Sequence, residues 1–320
     1  MAYPTPAVTT TTAATFIPEI WSDEIVAAYK KNLVLANIVM KMNFKGKKGD
    51  TVHIPAPTRG SASAKAASTA VTLIADTETE IQVSINQHFE YSRFIEDIVE
   101  AQALNSLRQF YTADAGYALA KQVDTSLIQL GRAFNGATVG TNDYATSNTS
   151  TKAFIGGDGT TAYNSTSSNA SALTDAAIRR TIQRLDDNDT PMDGRFFIIP
   201  PSSRNTLMGL SRYTEQAFVG NGNAIRTGEI GNLYGIPVFT SSNADTGAGN
   251  TATDRICLMG HKDSMVLVEQ IGIRSQTQYK QDYLATLFTS DTLYGVKALR
   301  AAATTGAALS SSAFALAVPA

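Results

Sequence analysis

Cysteine and histidine are scarce in this sequence, which has one cysteine (Cys257) and three histidines (His53, His88 and His261). A single cysteine excludes an internal disulfide and a thiolate zinc cluster. The histidines are far apart, and no two of them have the helical spacing of a metal-binding pair. We therefore expect no bound metal.

Long apolar runs and charged residues are also rare. No run of 18 apolar residues is present, so we expect no membrane-spanning helix. Charged residues make up 17% of the 320 residues, and 26 basic against 28 acidic residues give a formal charge of −2. That balance argues against a protein that holds nucleic acid by neutralising phosphates. Residues 1–6 lack the charged and apolar regions of a secretory signal.

The motifs of common enzymes are missing. Gly131 and Gly136 have the separation found in a phosphate-binding loop, but Ala137 and Thr138 follow where lysine and a hydroxyl residue are required. The stretch at 209–213 lacks the last glycine of a nucleophile elbow. We therefore predict that the protein is not an enzyme, with no catalytic residue and no cofactor.

The residues that are present divide the chain into segments of different character. Residues 1–15 are polar and threonine-rich, and such a segment is disordered when alone. Residues 16–44 have helical periodicity. Residues 45–90 alternate apolar and polar side chains, which predicts a long hairpin that needs something else to lie on. From Ser92 the pattern is helical again, and a helix over about 96–133 would be roughly 57 Å long.

The second half of the chain predicts a mixture of short elements. Residues 136–172 are rich in glycine, serine, threonine and asparagine, which predicts a surface insertion. Thr174 is placed to cap a helix that ends near Asp189. Strands are predicted at 196–199, 236–239 and 256–259, and a β-rich return at 265–299. Residues 306–320 are small and apolar, and we expect a tail there.

The distribution of charge along the hairpin is the most informative feature. Residues 41–65 carry a net charge of +5, and residues 76–100 carry −6. One interpretation is cross-strand pairing within one hairpin. The other is a basic loop that docks on the acidic helix start of a neighbouring copy, with charge setting the register of the contact. The candidate contact residues are Lys45, Lys47, Lys48, Arg59, Lys65, Glu96, Asp97 and Glu100.

The order of these segments, together with three local strings, resembles a known family. The strings are Phe16 to Trp21, Gly228 to Val238, and Leu293 to Val296. They are similar to stretches of tailed-phage major capsid proteins with the Hong Kong 97-type fold, and in particular to the coats of short-tailed phages. The resemblance covers nearly the whole chain.

This resemblance implies an α+β fold with the parts that the family shares. They are an amino-terminal arm (1–16), an amino-terminal helix region (17–44), an extended loop (45–90), a peripheral domain with a spine helix and the insertion 136–172 (91–190), an axial domain (191–258), a return to the peripheral domain (259–305) and a carboxy-terminal tail (306–320). It also implies a coat protein that self-assembles, as hexamers and pentamers, into an icosahedral head around double-stranded DNA.

The implied partners are other copies of the chain, a separate scaffolding protein, a portal protein and a cement or decoration protein. The shell would contact the packaged DNA without recognising its sequence, and no membrane is implied as a partner. The implied location is the virion, with assembly in the host cytoplasm. Two alternatives stay open: the shell of a bacterial nanocompartment, and a self-assembling surface-layer protein.

Overall fold

The computed structural model describes residues 34–46, 48–57, 62–71, 73, 78–98, 107–131, 153–161, 163, 169–210, 231–244, 254–299 and 312–320. The helices are α1 (Leu35–Ile38), α2 (Leu107–Leu130), α3 (Asp175–Asp187) and α4 (Pro201–Met208). The strands are β1 (Met40–Asn43), β2 (Thr51–Pro57), β3 (Glu78–Ser84), β4 (Gln87–Glu96), β5 (Phe154–Ile155), β6 (Arg195–Ile199), β7 (Asn232–Leu233), β8 (Ile236–Thr240), β9 (Asp254–His261), β10 (Met265–Lys280), β11 (Ala285–Ala298) and β12 (Ala313–Pro319).

A four-stranded sheet in the order β1-β10-β11-β4 carries the long helix α2 on one face. Strand β1 is parallel to β10, whereas the other neighbours are antiparallel. Leu127 and Ile128 of the helix pack in one cluster with Leu267 and Tyr294 of the sheet. The hydroxyl groups of Ser126 and Tyr294 are 2.9 Å apart and hydrogen-bonded. The helix is therefore fixed to the sheet by apolar packing and by a polar contact.

The amino-terminal helix predicted to reach residue 44 ends earlier, so that prediction is wrong for its last residues. Helix α1 ends at Ile38, and Met40–Asn43 form a strand that pairs with Val266–Glu269. Methionine and lysine are good helix formers, but helix propensity is a weak preference, so sheet hydrogen bonds to β10 decide the local structure. Residues 1–33 lie outside the described residues.

The helix predicted from Ser92 is also corrected. Residues Gln87–Glu96 form a ten-residue strand along β11. The side chains of Phe89, Tyr91 and Ile95 alternate toward the α2 side, a period of two that the helical pattern further along the chain obscured. Helix α2 begins among the described residues at Leu107 and, with 24 residues, is about 36 Å long rather than 57 Å.

A six-stranded sheet in the order β5-β12-β9-β6-β8-β7 forms the second core. Helix α3 packs on it, because Ile178 and Leu185 share a cluster with Phe197 and Ile199 of β6. Thr174 caps α3 as predicted, accepting a hydrogen bond from the Ala177 N–H at 3.3 Å. The boundaries expected after residues 190 and 258 fall inside this core, so they do not separate packed units.

The carboxy-terminal residues are a strand in this sheet and not a tail. Strand β12 lies between β5 and β9, and residues 313–318 are buried. Phe314 and Leu316 face the α3 side, whereas Ala315 and Ala317 face the other side. The predicted insertion is likewise corrected where it is described. Phe154 pairs with Leu316, and Tyr163 is buried.

Candidate inter-subunit surfaces

The hairpin formed by β2 and β3 is anchored on the four-stranded sheet at its base. Val52 lies opposite Val83 across the hairpin. Val83 packs in one apolar cluster with Val266 and Val268 of β10. At Gly295, β11 and the end of β3 are so close that an added Cβ would lie 2.5 Å from the Ser84 carbonyl oxygen. The base of the hairpin therefore lies on its own sheet, as its composition predicts.

The outer part of the hairpin has no such cover. The described residues beyond the strands, 62–71 and 73, are all exposed. They include two apolar side chains, Val71 and Leu73, with exposed fractions of 69% and 89%. An extended segment with uncovered apolar residues on alternate positions has the character of a strand without a sheet. This is the first surface of the subunit that is suited to contact another chain.

The structure separates the predicted basic residues into two groups. Lys45 forms an ion pair with Glu269 of its own chain at 3.6 Å, and both side chains are partly exposed. Lys48 and Lys65 are exposed and form no ion pair with a described residue. Lys47 and Arg59 lie outside the described residues. The basic charge that is available to a neighbour is therefore that of Lys48 and Lys65.

The predicted acidic residues lie at the far end of the four-stranded sheet. Glu96 ends β4 and is exposed. Asp97 accepts a hydrogen bond from the Tyr279 hydroxyl at 2.8 Å, and this bond raises the pKa of Tyr279. Glu100 lies outside the described residues. Thus Glu96 ends a strand, and Asp97 begins a helical segment whose continuation lies outside the described residues.

Cross-strand pairing within the hairpin is present in one described place. The Nδ1 atom of His53 is 2.9 Å from an Oε2 oxygen of Glu80. A hydrogen bond from Gln82, followed by the contact with His53, lowers the pKa of Glu80. This pair involves a histidine, however, and none of the lysines that we predicted. Pairing within the hairpin is therefore present at this histidine, and docking on a neighbouring copy stays a prediction.

An exposed apolar cluster beside these acids was missed by the sequence analysis. We call it the sheet tip, and its members are Phe94, Ile98, Tyr279, Tyr283 and Leu284. The ring centroids of Phe94 and Tyr283 are 5.8 Å apart. These residues come from the end of β4 and the residues just after it, and from the end of β10 and the turn that follows it. Since they are nearly 190 residues apart in sequence, no local pattern could have indicated the cluster.

A buried carboxylate at the start of α1 was also missed. Asp124 of α2 is fully buried. Its Oδ1 accepts hydrogen bonds from the N–H groups of Leu35, at 2.8 Å, and Ala36, at 3.3 Å. Its Oδ2 accepts one from the side-chain amide of Asn243, at 3.0 Å. Asp124 thus joins the start of α1, the long helix and the loop after β8.

Metal-binding and membrane-spanning features are absent from the described part of the chain. It contains no group of three or more histidine, cysteine, aspartate or glutamate side chains that could hold a metal ion. None of its helices is both long enough and apolar enough to cross a membrane. A concave site of about 230 Å³ lies beside Pro200, Ser202 and Arg255. Its lining supplies neither an acid–base pair nor a nucleophile with a base.

Comparison with solved structures shows the fold. A chain of Mycobacterium phage Che8 superposes with a TM-score of 0.72 at 23% identity, covering 94% of this chain and 97% of that one. The capsid of cyanophage P-SCSP1u gives 0.69 at 19% identity, with 96% and 94% covered. The capsid of a native GTA particle, computed with C5 symmetry, gives 0.63 at 12% identity, with 98% and 100% covered.

Comparison at the level of sequence shows the family. No curated protein matches the chain. A family model described as phage capsid protein matches residues 20–304, which is most of the chain. Because this family model describes phage capsid proteins, the match favours a phage coat over a nanocompartment shell and a surface-layer protein. The chain belongs to the phage capsid protein family and is a major capsid protein with the Hong Kong 97-type fold, which builds the shell of a phage head.

Proposed function

We propose that copies of this chain close into an icosahedral shell of hexamers and pentamers around a double-stranded DNA genome. The family match over residues 20–304 carries the proposal. The GTA particle, whose capsid chain covers 98% of this one, was computed with C5 symmetry, and a five-fold ring is what a pentamer requires. Repeated contacts closed by symmetry are the way in which one chain encloses a volume.

The proposal includes the partners that such a shell needs. A separate scaffolding protein would guide assembly in the host cytoplasm, a portal protein would admit the DNA, and a cement or decoration protein is a further candidate. The balanced charge of the chain favours DNA contact without tight or sequence-specific binding. Co-expression of the chain with and without the scaffolding protein, followed by electron microscopy, tests this part. Closed particles of uniform size should require the scaffolding protein, and uniform particles from the chain alone would contradict it.

The contact between copies is proposed to join the free basic residues of one hairpin to the acidic sheet end of a neighbour. Among the described residues, the donors are Lys48 and Lys65, and the acceptors are Glu96 and Asp97. Each exposed pair is worth only about 0.2–1 kcal/mol. The same pair is repeated around every ring of the shell, so assembly should respond to charge more strongly than folding does.

A charge reversal with a matched control tests this contact. Lys65→Glu should lower the yield of particles at low salt, whereas Lys262→Glu, which makes the same change at an exposed position between β9 and β10, should not. Added salt should restore assembly of the Lys65 variant, because screening shortens the Debye length to about 8 Å near physiological ionic strength. A second change, Glu96→Lys, should restore it at low salt. Equal yields from the Lys65 and Lys262 variants would refute the contact.

A further inference from the structure

We infer that Asp124 couples helix α1 to the loop after β8, so that α1 is held firmly only while this loop is in place. The inference concerns the subunit itself and goes beyond the proposed contacts between copies. Oδ1 of Asp124 accepts hydrogen bonds from the N–H groups that begin α1, and Oδ2 accepts one from the side-chain amide of Asn243. One carboxylate therefore serves two segments that are distant in sequence.

This carboxylate is buried without a counter-ion. Asp124 is fully buried, and among the described residues no lysine, arginine or histidine forms an ion pair with it. Removing a charge from water is very costly unless the charge is paired or hydrogen-bonded. Here the compensation comes from three N–H donors, which belong to Leu35, Ala36 and Asn243. The burial of the carboxylate against α1 therefore depends on all three.

Helix α1 is short enough to depend on this link. It has four residues, and a helix of that length is not stable alone. Its N-cap residue, Val34, supplies no side-chain acceptor for the first N–H groups. The carboxylate of Asp124 takes that role from the neighbouring helix α2, while Leu35 packs in one apolar cluster with Leu127. Without the carboxylate, only apolar packing would hold the start of α1.

The loop after β8 presents Asn243 in a fixed position. The Ser241 N–H donates to the Ile199 carbonyl oxygen of β6 at 3.0 Å, which ties the loop to the six-stranded sheet. The Asn243 N–H donates to the Ser241 hydroxyl at 3.1 Å, and Asn243 is 8% exposed. Among the described residues Asn243 forms no hydrogen bond with α1, so the polar connection between them runs through Asp124.

A comparison of attached and detached α1 shows why the donors act together. When α1 moves away from α2, water can reach the carboxylate and replace a missing donor. When α1 is in place, water is excluded, and a carboxylate oxygen without a donor bears the full desolvation penalty. Loss of the Asn243 amide therefore destabilises the attached state and not the detached one. Coupling free energies are reciprocal, so detachment of α1 loosens the loop to the same extent.

Hydrogen exchange of the full-length chain, measured by mass spectrometry on peptides that contain α1, tests the coupling. Asn243→Ala should speed exchange at Leu35 and Ala36 by about tenfold or more, the factor for loss of a hydrogen bond to a charged acceptor. Arg255→Gln is the matched control, because Arg255 contacts a carbonyl oxygen of the same loop at 3.5 Å and should leave exchange in α1 unchanged. Unchanged exchange in Asn243→Ala would overturn the inference, and so would equal effects of the two variants.

A double-mutant cycle separates the coupling from general damage to the loop. Urea unfolding is compared for the parent, Asn243→Ala, Asp124→Ala and the double variant. Asn243→Ala should lower the folding equilibrium constant about tenfold or more in the parent, but by less than about twofold once the carboxylate is gone. If Asn243→Ala does not fold, Asn243→Ser takes its place with the same expected results. Equal losses in the two backgrounds would overturn the inference.

Discussion

Replacing Asp124 by alanine should destabilise the isolated subunit by about 3 kcal/mol. Its carboxylate is the acceptor for the buried N–H of Leu35 at 2.8 Å and for that of Ala36 at 3.3 Å. A buried donor left without a partner costs about 1–3 kcal/mol, and a hydrogen bond to a charged acceptor contributes about 1.5–3 kcal/mol. Asn243 loses less, because its amide also donates to the Thr125 hydroxyl at 3.2 Å.

The assay is urea unfolding of unassembled subunits, followed by far-ultraviolet circular dichroism. Asp114→Ala is the matched control in the same helix. Asp114 is only half-buried and accepts from the Tyr91 hydroxyl at 3.0 Å, so its loss should cost less than about 1 kcal/mol. Asp124→Asn should fall between the two, because its amide oxygen still accepts from Leu35. Equal losses for Asp124→Ala and Asp114→Ala would refute the reasoning.

Three further predictions concern other parts of the fold. Gly295→Ala should cost about 1–3 kcal/mol of stability and loosen the hairpin base, because the new Cβ would clash with the Ser84 carbonyl oxygen. Gly116→Ala, at a helix position with open space around it, should be neutral or stabilising, and limited proteolysis of the hairpin would detect the difference. Tyr163→Phe should cost about 1–3 kcal/mol in thermal or urea unfolding, because the buried Asp254 loses a hydrogen bond of 2.7 Å, and a variant as stable as the parent would contradict this. The hydrogen bond from Arg274, followed by that from His88, lowers the pKa of Asp291. Arg274→Gln should therefore lower the melting temperature above the ordinary aspartate pKa of about 3.9, and this difference should vanish as the pH falls through the lowered pKa. A difference in melting temperature that persists in strong acid would contradict the prediction.

Local chemistry in the sequence was enough to locate several elements. Thr174 caps α3 with its own hydroxyl, and α3 presents Ile178 and Leu185 on one face. The run at 196–199 is apolar at every position, which is typical of a strand buried on both sides, and all five residues of β6 are buried. The alternation at 81–85 predicted the hairpin strand β3. In each case the side chains within one short segment carry the information.

The errors fall where a segment depends on a distant partner. Met40–Asn43 and Gln87–Glu96 are strands because β10 and β11 supply hydrogen bonds from 189 to 226 residues away. Residues 313–318 alternate alanine with large apolar residues, a period of two that fits a strand between two clusters. We predicted a tail there because the residues are small and apolar and have no caps.

The charge pattern shows the same division between sequence and structure. The sequence determined that a basic stretch and an acidic stretch exist and that they flank a long hairpin. Only the tertiary structure decided that Lys45 is paired with Glu269, and that Lys65 forms no ion pair with a described residue. It also placed Phe94 beside Tyr283 and Leu35 against Asp124. Charge and periodicity are properties of neighbouring residues, whereas surfaces and buried hydrogen bonds are made by strands and helices that meet only when the whole chain has folded.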